Sequence, residues 1–185
     1  MHIVQCIFTP CRVELTSPTT DWSRCWSACR QPGVPPDLAS FLWLMMLDLL
    51  STQAKLHRMG STQSSVCKMP GCNQDGTIQH ELIYCSKNGG VGTRLVSCVQ
   101  LNVPGLQPED VLRLDHGDTT EDLSLSLTLL TAITLNHIWR EREAGTNVKD
   151  YKVRAELEQA ITLLRTTRLV TSTNRLHAMM RLMFQ

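Results

Sequence analysis

Between residues 67 and 85 the chain reads Cys67-x4-Cys72-x7-His80-x4-Cys85, three thiols and one imidazole in two short-spaced pairs. No other feature of the sequence restricts its folding as tightly. Zinc takes four soft or borderline donors in a tetrahedron, and two close pairs supply them with little loop-closure entropy. Pro70-Gly71 lies inside the first pair and forms a tight turn that brings both sulfurs to one side. His80 and Cys85 are slightly more than one helical turn apart, so both project from a short helix whose Ile78, Leu82 and Ile83 pack on the body. A closed site with one zinc and four protein ligands is structural, not catalytic. The competing reading is that these are thiols that lie near one another without a metal. Cys98 is the rival for a ligand place, but it lies beyond Gly89-Gly90 and Gly92.

The redox compartment decides how the eight cysteines are read. The N-terminus carries His2, Gln5 and Cys6, not a basic region followed by an apolar one. The longest apolar run, Phe41 to Leu50, contains Asp48 and is well short of the roughly 20 residues that cross a bilayer. The expectation is a soluble, intracellular protein of nucleus or cytoplasm with no membrane association. In a reducing compartment, clustered cysteines beside a histidine indicate metal more than disulfides. Cys25 and Cys29, a pair with no nearby histidine or second pair, read as core thiols.

An apolar fraction of 42%, few aromatics and abundant leucine indicate a mostly α fold with helices packed on helices. The expected architecture is a small helical domain with a zinc-stapled Cys-Cys-His-Cys loop, followed by a helical C-terminal extension. Four segments follow: an irregular leader (1–20), the zinc-binding domain (21–95), an acidic linker (96–122) and the helical C-terminal region (123–185). Trp22 and Trp26 share one face of a short helix. After the breaker at 31–36, Asp37 is the expected N-cap of a helix reaching about Met59, with Gly60 as its stop. Pro108-Glu109-Asp110 reads as a helix start within the acidic stretch. Leu123, Leu125 and Leu127 alternate as in a strand, but the length of the segment and Ile133, His137 and Trp139 favour helix. Val153, Leu157, Ala160, Ile161 and Leu164 form a helical stripe, and Leu176, Met179, Met180 and Met183 form another.

Other chemistry is not marked. His57, His116 and His137 stand apart from obvious partners, and there is neither a Walker loop nor a dinucleotide fingerprint. No small-molecule substrate is expected. A net charge of +1 excludes a strongly basic DNA-coating protein, although residues after 122 carry nine positive against five negative side chains.

Trp22, Trp26, Pro35-Pro36, Phe41-Leu42-Trp43, Leu50-Ser51-Thr52 and Leu56-His57-Arg58-Met59-Gly60, followed by Cys, Cys, His and Cys, occur in a specific order. Over about residues 21–90 this order resembles the zinc-binding domain behind the polymerase of non-LTR (LINE-type) retrotransposon reverse transcriptases. The first cysteine pair departs from the family by its x4 spacing, where x2 is usual. Gly76-Thr77 stands where the family often has Glu-Thr, so a supporting carboxylate is expected to be missing. The sequence also contains no Asp-Asp, the pair that a polymerase palm uses to hold two metal ions. The resemblance thus implies a C-terminal piece of such a protein, with no polymerase activity of its own and the reverse transcriptase core as a partner.

The resemblance also implies RNA or DNA contact near the zinc. Arg58, Lys68, Lys87 and Arg94 are the candidate phosphate contacts, and Tyr84 is the aromatic available for base stacking. The alternative is a helical interaction or scaffold protein in which zinc only holds the fold. A nuclease of the kind some retroelements carry is not supported by any convincing acidic motif.

Overall fold

The computed structural model describes residues 20–166 and 170–185. The expected irregular leader, with Cys6 and Cys11, lies outside the described residues except for Thr20. The described chain is helical, in the order α1 (Trp22–Cys29), α2 (Pro36–Met46), α3 (Gln53–Arg58), α4 (Val91–Asn102), α5 (Pro108–Arg113), α6 (Glu121–Glu143), α7 (Asp150–Thr166) and α8 (Val170–Met183). A π-helical turn at His80–Tyr84 and a 3-10 turn at Ser86–Asn88 lie between α3 and α4. Extended pairing among the described residues is a single antiparallel bridge, Val66 to Asp75.

The axis of the fold is α6. Every residue from Leu125 to Leu135 is buried, so the leucine alternation that suggests a strand selects no face at all. A helix enclosed on all sides can carry small hydroxyl residues between its leucines, because a serine hydroxyl can bond a carbonyl one turn back. Ser126 does this, donating to Asp122 O at 2.7 Å, and it also reaches Ser172 O on α8 at 3.0 Å. Around α6 pack α8, α4, α2, α7 and α1. The α7 stripe places Val153, Leu157, Ile161 and Leu164 in the core, with Ala160 half-buried beside them. In α8 the core residues are Leu176, Met179, Met180 and Met183. One continuous apolar cluster joins residues of α1 and α2 with those of α6, α7 and α8.

The helix expected from Asp37 to Met59 is two helices. Pro35 occupies the N-cap position and Pro36 the first helical position, so Asp37 sits inside the first turn. The helix stops at Leu47 because Asp48 adopts a left-handed conformation (φ 51°), tolerated by aspartate. Thr52 then caps α3 by accepting the amide of Lys55. This break buries Leu50 and leaves Leu47 and Leu49 exposed. The stretch expected as an acidic linker is also largely helical. It contains most of α4 and all of α5, whose N-terminus is closed by Gln107 N donating to Asp110 Oδ2 at 2.8 Å. Asp115 and Asp118 pair with Arg24 on α1.

His116, after α5, is buried with no hydrogen-bond partner at either ring nitrogen among the described residues. Burial pushes its pKa down from 6.5 to about 4. Above pH 6.5 the ring is neutral in folded and unfolded chains alike, so it adds no pH dependence there. As pH falls below 6.5 the unfolded chain takes up the proton first, and stability drops until the folded pKa near 4 is passed. The loss approaches about 3 kcal/mol. Urea unfolding of the wild-type and His116→Leu proteins across pH 7 to 4 is expected to give diverging curves, with the wild type losing the extra stability. Parallel curves would show that His116 is solvated.

Candidate metal centre

The four candidate ligands come from two small pieces of chain. The first is a hairpin-like loop over 65–76, closed by Cys67 N donating to Gln74 O (2.8 Å) and Gly76 N donating to Ser65 O (2.8 Å). At its tip, Cys72 N donates to Met69 O (3.0 Å), and Gly71 takes φ 72°, the left-handed turn position that suits glycine. The x4 spacing of this pair is therefore compatible with both sulfurs facing one side.

The second piece is the turn carrying His80 and Cys85. It is π-helical, not the α-helical first turn expected from the spacing, and Cys85 N donates to His80 O at 2.7 Å. A π turn carries one more residue than an α turn and so brings the five-residue separation of His80 and Cys85 onto one side. Leu82 and Ile83 anchor it in the core, with α4 against its back. That approach requires Gly92, because a Cβ there would stand 2.4 to 2.7 Å from the backbone of Leu82 and Ile83.

Cys67 Sγ, Cys72 Sγ, His80 and Cys85 Sγ offer ligand atoms that all lie within 4.8 Å of one another. The Sγ–Sγ separations are 3.9 Å for Cys67–Cys85 and 3.9 Å for Cys72–Cys85. A tetrahedron with Zn–S bonds of 2.3 Å has edges of about 3.8 Å, so these sulfurs already have the required spacing. The Cys72 Sγ to His80 Nε2 distance, 3.1 Å, is somewhat shorter than the corresponding edge. Cys67, Cys72 and Cys85 are buried and His80 is half-buried. In the metal-free protein burial holds the Cys85 thiol up at about 11. At Cys72 burial also pushes upward, but hydrogen bonds from the Gln74 backbone and from Cys67 and Cys85 outweigh it, and the net shift is down. Burial, helped by the charge of Arg142, lowers the pKa of His80 and keeps the ring in its neutral, ligating form. The donor set and its spacing fit one zinc ion. Metal would be held by the four side chains and would supply a crosslink between loop and turn.

Two residues beside the cluster are not singled out by the sequence pattern. Arg142, near the end of α6 and fully buried, directs Nη2 to Cys67 Sγ at 3.2 Å and to Glu81 Oε1 at 3.4 Å. Glu81, also buried, accepts the amide of Gln53 at 3.2 Å. The expectation that a supporting carboxylate is missing is thus corrected. Glu81 supplies it from the turn itself, and a Cβ at Gly76 would fall 2.5 Å from its Oε1. An acid adjacent to a ligand was a visible signal for Glu81. For Arg142, far along the chain, there was none.

The other candidates are dispersed. Cys98 is buried on α4, its thiol 3.4 Å from Met179 O, and takes no part in the cluster. Cys25 and Cys29 are buried core thiols. Of the proposed phosphate contacts, Lys68 pairs with Glu143 (2.6 Å) and Arg94 with Asp150 (2.6 Å), Arg94 also lying over the Phe184 ring. Arg58 stands 3.8 Å from Asp48 Oδ2, while Lys87 lies over Gly71 with no ion pair among the described residues.

Fold and site together define a helical protein with a closed Cys3His centre able to hold one metal ion. Residues 11–91, a stretch that contains all four donors, match the family described as zinc-binding in reverse transcriptase. Neither the curated proteins nor the solved structures provide a significant match. The match is consistent with zinc as the ion that this donor set would hold.

The assignment predicts a division among the cysteines. Cys67→Ser, Cys85→Ser and His80→Ala should each reduce bound zinc from one per chain to well below one, measured by elemental analysis after gel filtration. Cys98→Ser should leave the stoichiometry unchanged. Loss of zinc in the Cys98 variant would move the ligand set.

Proposed function

We propose that the chain is a zinc-dependent nucleic-acid-binding module of a LINE-type reverse transcriptase, with the polymerase core as its partner and no polymerase activity of its own. The observation that carries this reading is the convergence of the four donors inside the segment that matches the reverse-transcriptase zinc-binding family. The absence of an Asp-Asp pair from the sequence supports the last clause.

Contact with a strand would fall on the outer side of the loop and turn. Tyr84 is about half exposed there and offers a face for stacking, and Lys87 is a cation with no ion pair among the described residues. Lys68 and Arg94 are held by acidic partners on the surface, and such pairs contribute little and exchange readily for phosphate. Arg58 lines a polar cleft beside the loop with Asp48 and Asp75. No disulfide joins the six described cysteines, which accords with a nuclear or cytoplasmic setting. Among the described residues no helix is long and apolar enough to cross a membrane.

A second reading, apolar docking to a protein, is favoured by one specific observation. Trp43, Leu44, Leu47 and Leu49 are exposed along the end of α2 and the break that follows, beside a stack of Trp22, Trp26 and Trp43. Salt separates the two. Four phosphate contacts on a single strand give a slope of about −3 for log K against log salt. Fluorescence anisotropy with a labelled single-stranded RNA, from 50 to 300 mM salt, is expected to show that slope in the zinc-loaded protein and its reduction in Lys87→Ala. A flat dependence, or no RNA binding, would favour docking.

A further inference from the structure

Among the described residues, Arg142 is the largest side chain with no exposure to water. It belongs to the last turn of α6, 75 residues from Cys67 in sequence, yet Nη2 contacts that sulfur at 3.2 Å. Its other neighbour of opposite charge, Glu81 Oε1, is 3.4 Å away, longer than the about 2.7–2.9 Å of a strong charge-assisted bond. Nε and Nη1 have no partner among the described residues. A guanidinium removed from water in this way needs more compensation than one distant carboxylate gives.

The protein thiol is a weak acceptor, whereas a metal-bound thiolate is a strong one. Three thiolates and a neutral imidazole around Zn2+ carry a net charge of −1. Arg142 therefore suits the metal-loaded centre better than the metal-free one. Glu81 extends the chain of contacts, since its Oε1 also accepts the amide of Gln53, the first residue of α3.

We propose that Arg142 is a positioning residue for the metal centre, its guanidinium holding the Cys67 sulfur so that metal loading and the seating of the C-terminal end of α6 become one event. This rests on the zinc reading above. Because α6 is the axis on which α4, α7 and α8 pack, the state of the metal centre is transmitted through this contact into the C-terminal helices.

The structural alternative is that Arg142 only neutralises Glu81. Removing both charges distinguishes the two, because replacing a buried pair by apolar residues of similar volume is often neutral for folding, whereas removing one member is not. Zinc affinity of the wild type, Arg142→Met, Arg142→Met/Glu81→Met and the exposed control Arg140→Ala is measured by competition with a chelating dye. Unfolding is followed in parallel. The double variant is expected to regain most of the stability lost in the single variant yet bind zinc about 10- to 100-fold more weakly than the wild type. Arg140→Ala should match the wild type. Equal affinity in the double variant and the wild type would overturn the proposal while leaving the zinc site intact. A wild-type chain without zinc would instead overturn the reading on which it rests.

Amide hydrogen exchange on the wild type gives an answer even if the variants do not fold. Protection over residues 138–143 is expected to fall when zinc is removed, and unchanged protection there would overturn the coupling. Where the double variant folds, chelation should change its exchange in this segment far less.

Discussion

The convergence of four donors on one point is the constraint from which the N-terminal half takes its shape. The loop over 65–76 and the turn at His80–Tyr84 bury a small apolar cluster of Cys67, Met69, Cys72 and Cys85, separate from the main core. Three of those four residues are candidate ligands. The loop's other ties to the body are polar, among them Arg142 to Cys67 and Lys68 to Glu143, and a structural zinc contributes on the order of 10 kcal/mol to such a site. A bound metal would do for the loop what apolar burial does for the helices. Its position also follows from the core: Leu82 and Ile83 fix the turn, and Gly92 lets α4 approach its backbone.

Much of this was legible in the sequence, for identifiable reasons. The Cys67, Cys72, His80, Cys85 spacing states a local geometry, and the stripes in α7 and α8 state which faces are buried. The break between α2 and α3 was hidden because apolar residues continue through it. Only the left-handed Asp48 and the Thr52 cap reveal it. The leucine alternation in α6 was ambiguous because burial on every side removes the periodic signal. Arg142 was invisible for a different reason. Its role depends on a tertiary contact between distant parts of the chain, and its sequence neighbours are charged residues of an ordinary helix end.

The same contact bears on how the C-terminal helices relate to the metal centre. They share one core with α1 and α2, and α6 delivers Arg142 to the ligand Cys67. Lys68 reaches Glu143 in the same last turn, so both a buried and an exposed ion pair join the metal-binding segment to the end of α6. Surface pairs such as Lys68–Glu143 are weak and remain available for exchange with phosphate; the buried contact is not. The proposed nucleic-acid contact and the proposed structural coupling would thus fall to different charges at the same junction.

X-ray absorption at the zinc edge of the purified protein reads the ligand set itself. One zinc per chain is expected, with three sulfurs at about 2.3 Å and one nitrogen at about 2.0–2.1 Å around it. A shell of four sulfurs, a shell containing water oxygen, or a protein that retains no zinc would contradict the assignment of Cys67, Cys72, His80 and Cys85 as a closed metal centre.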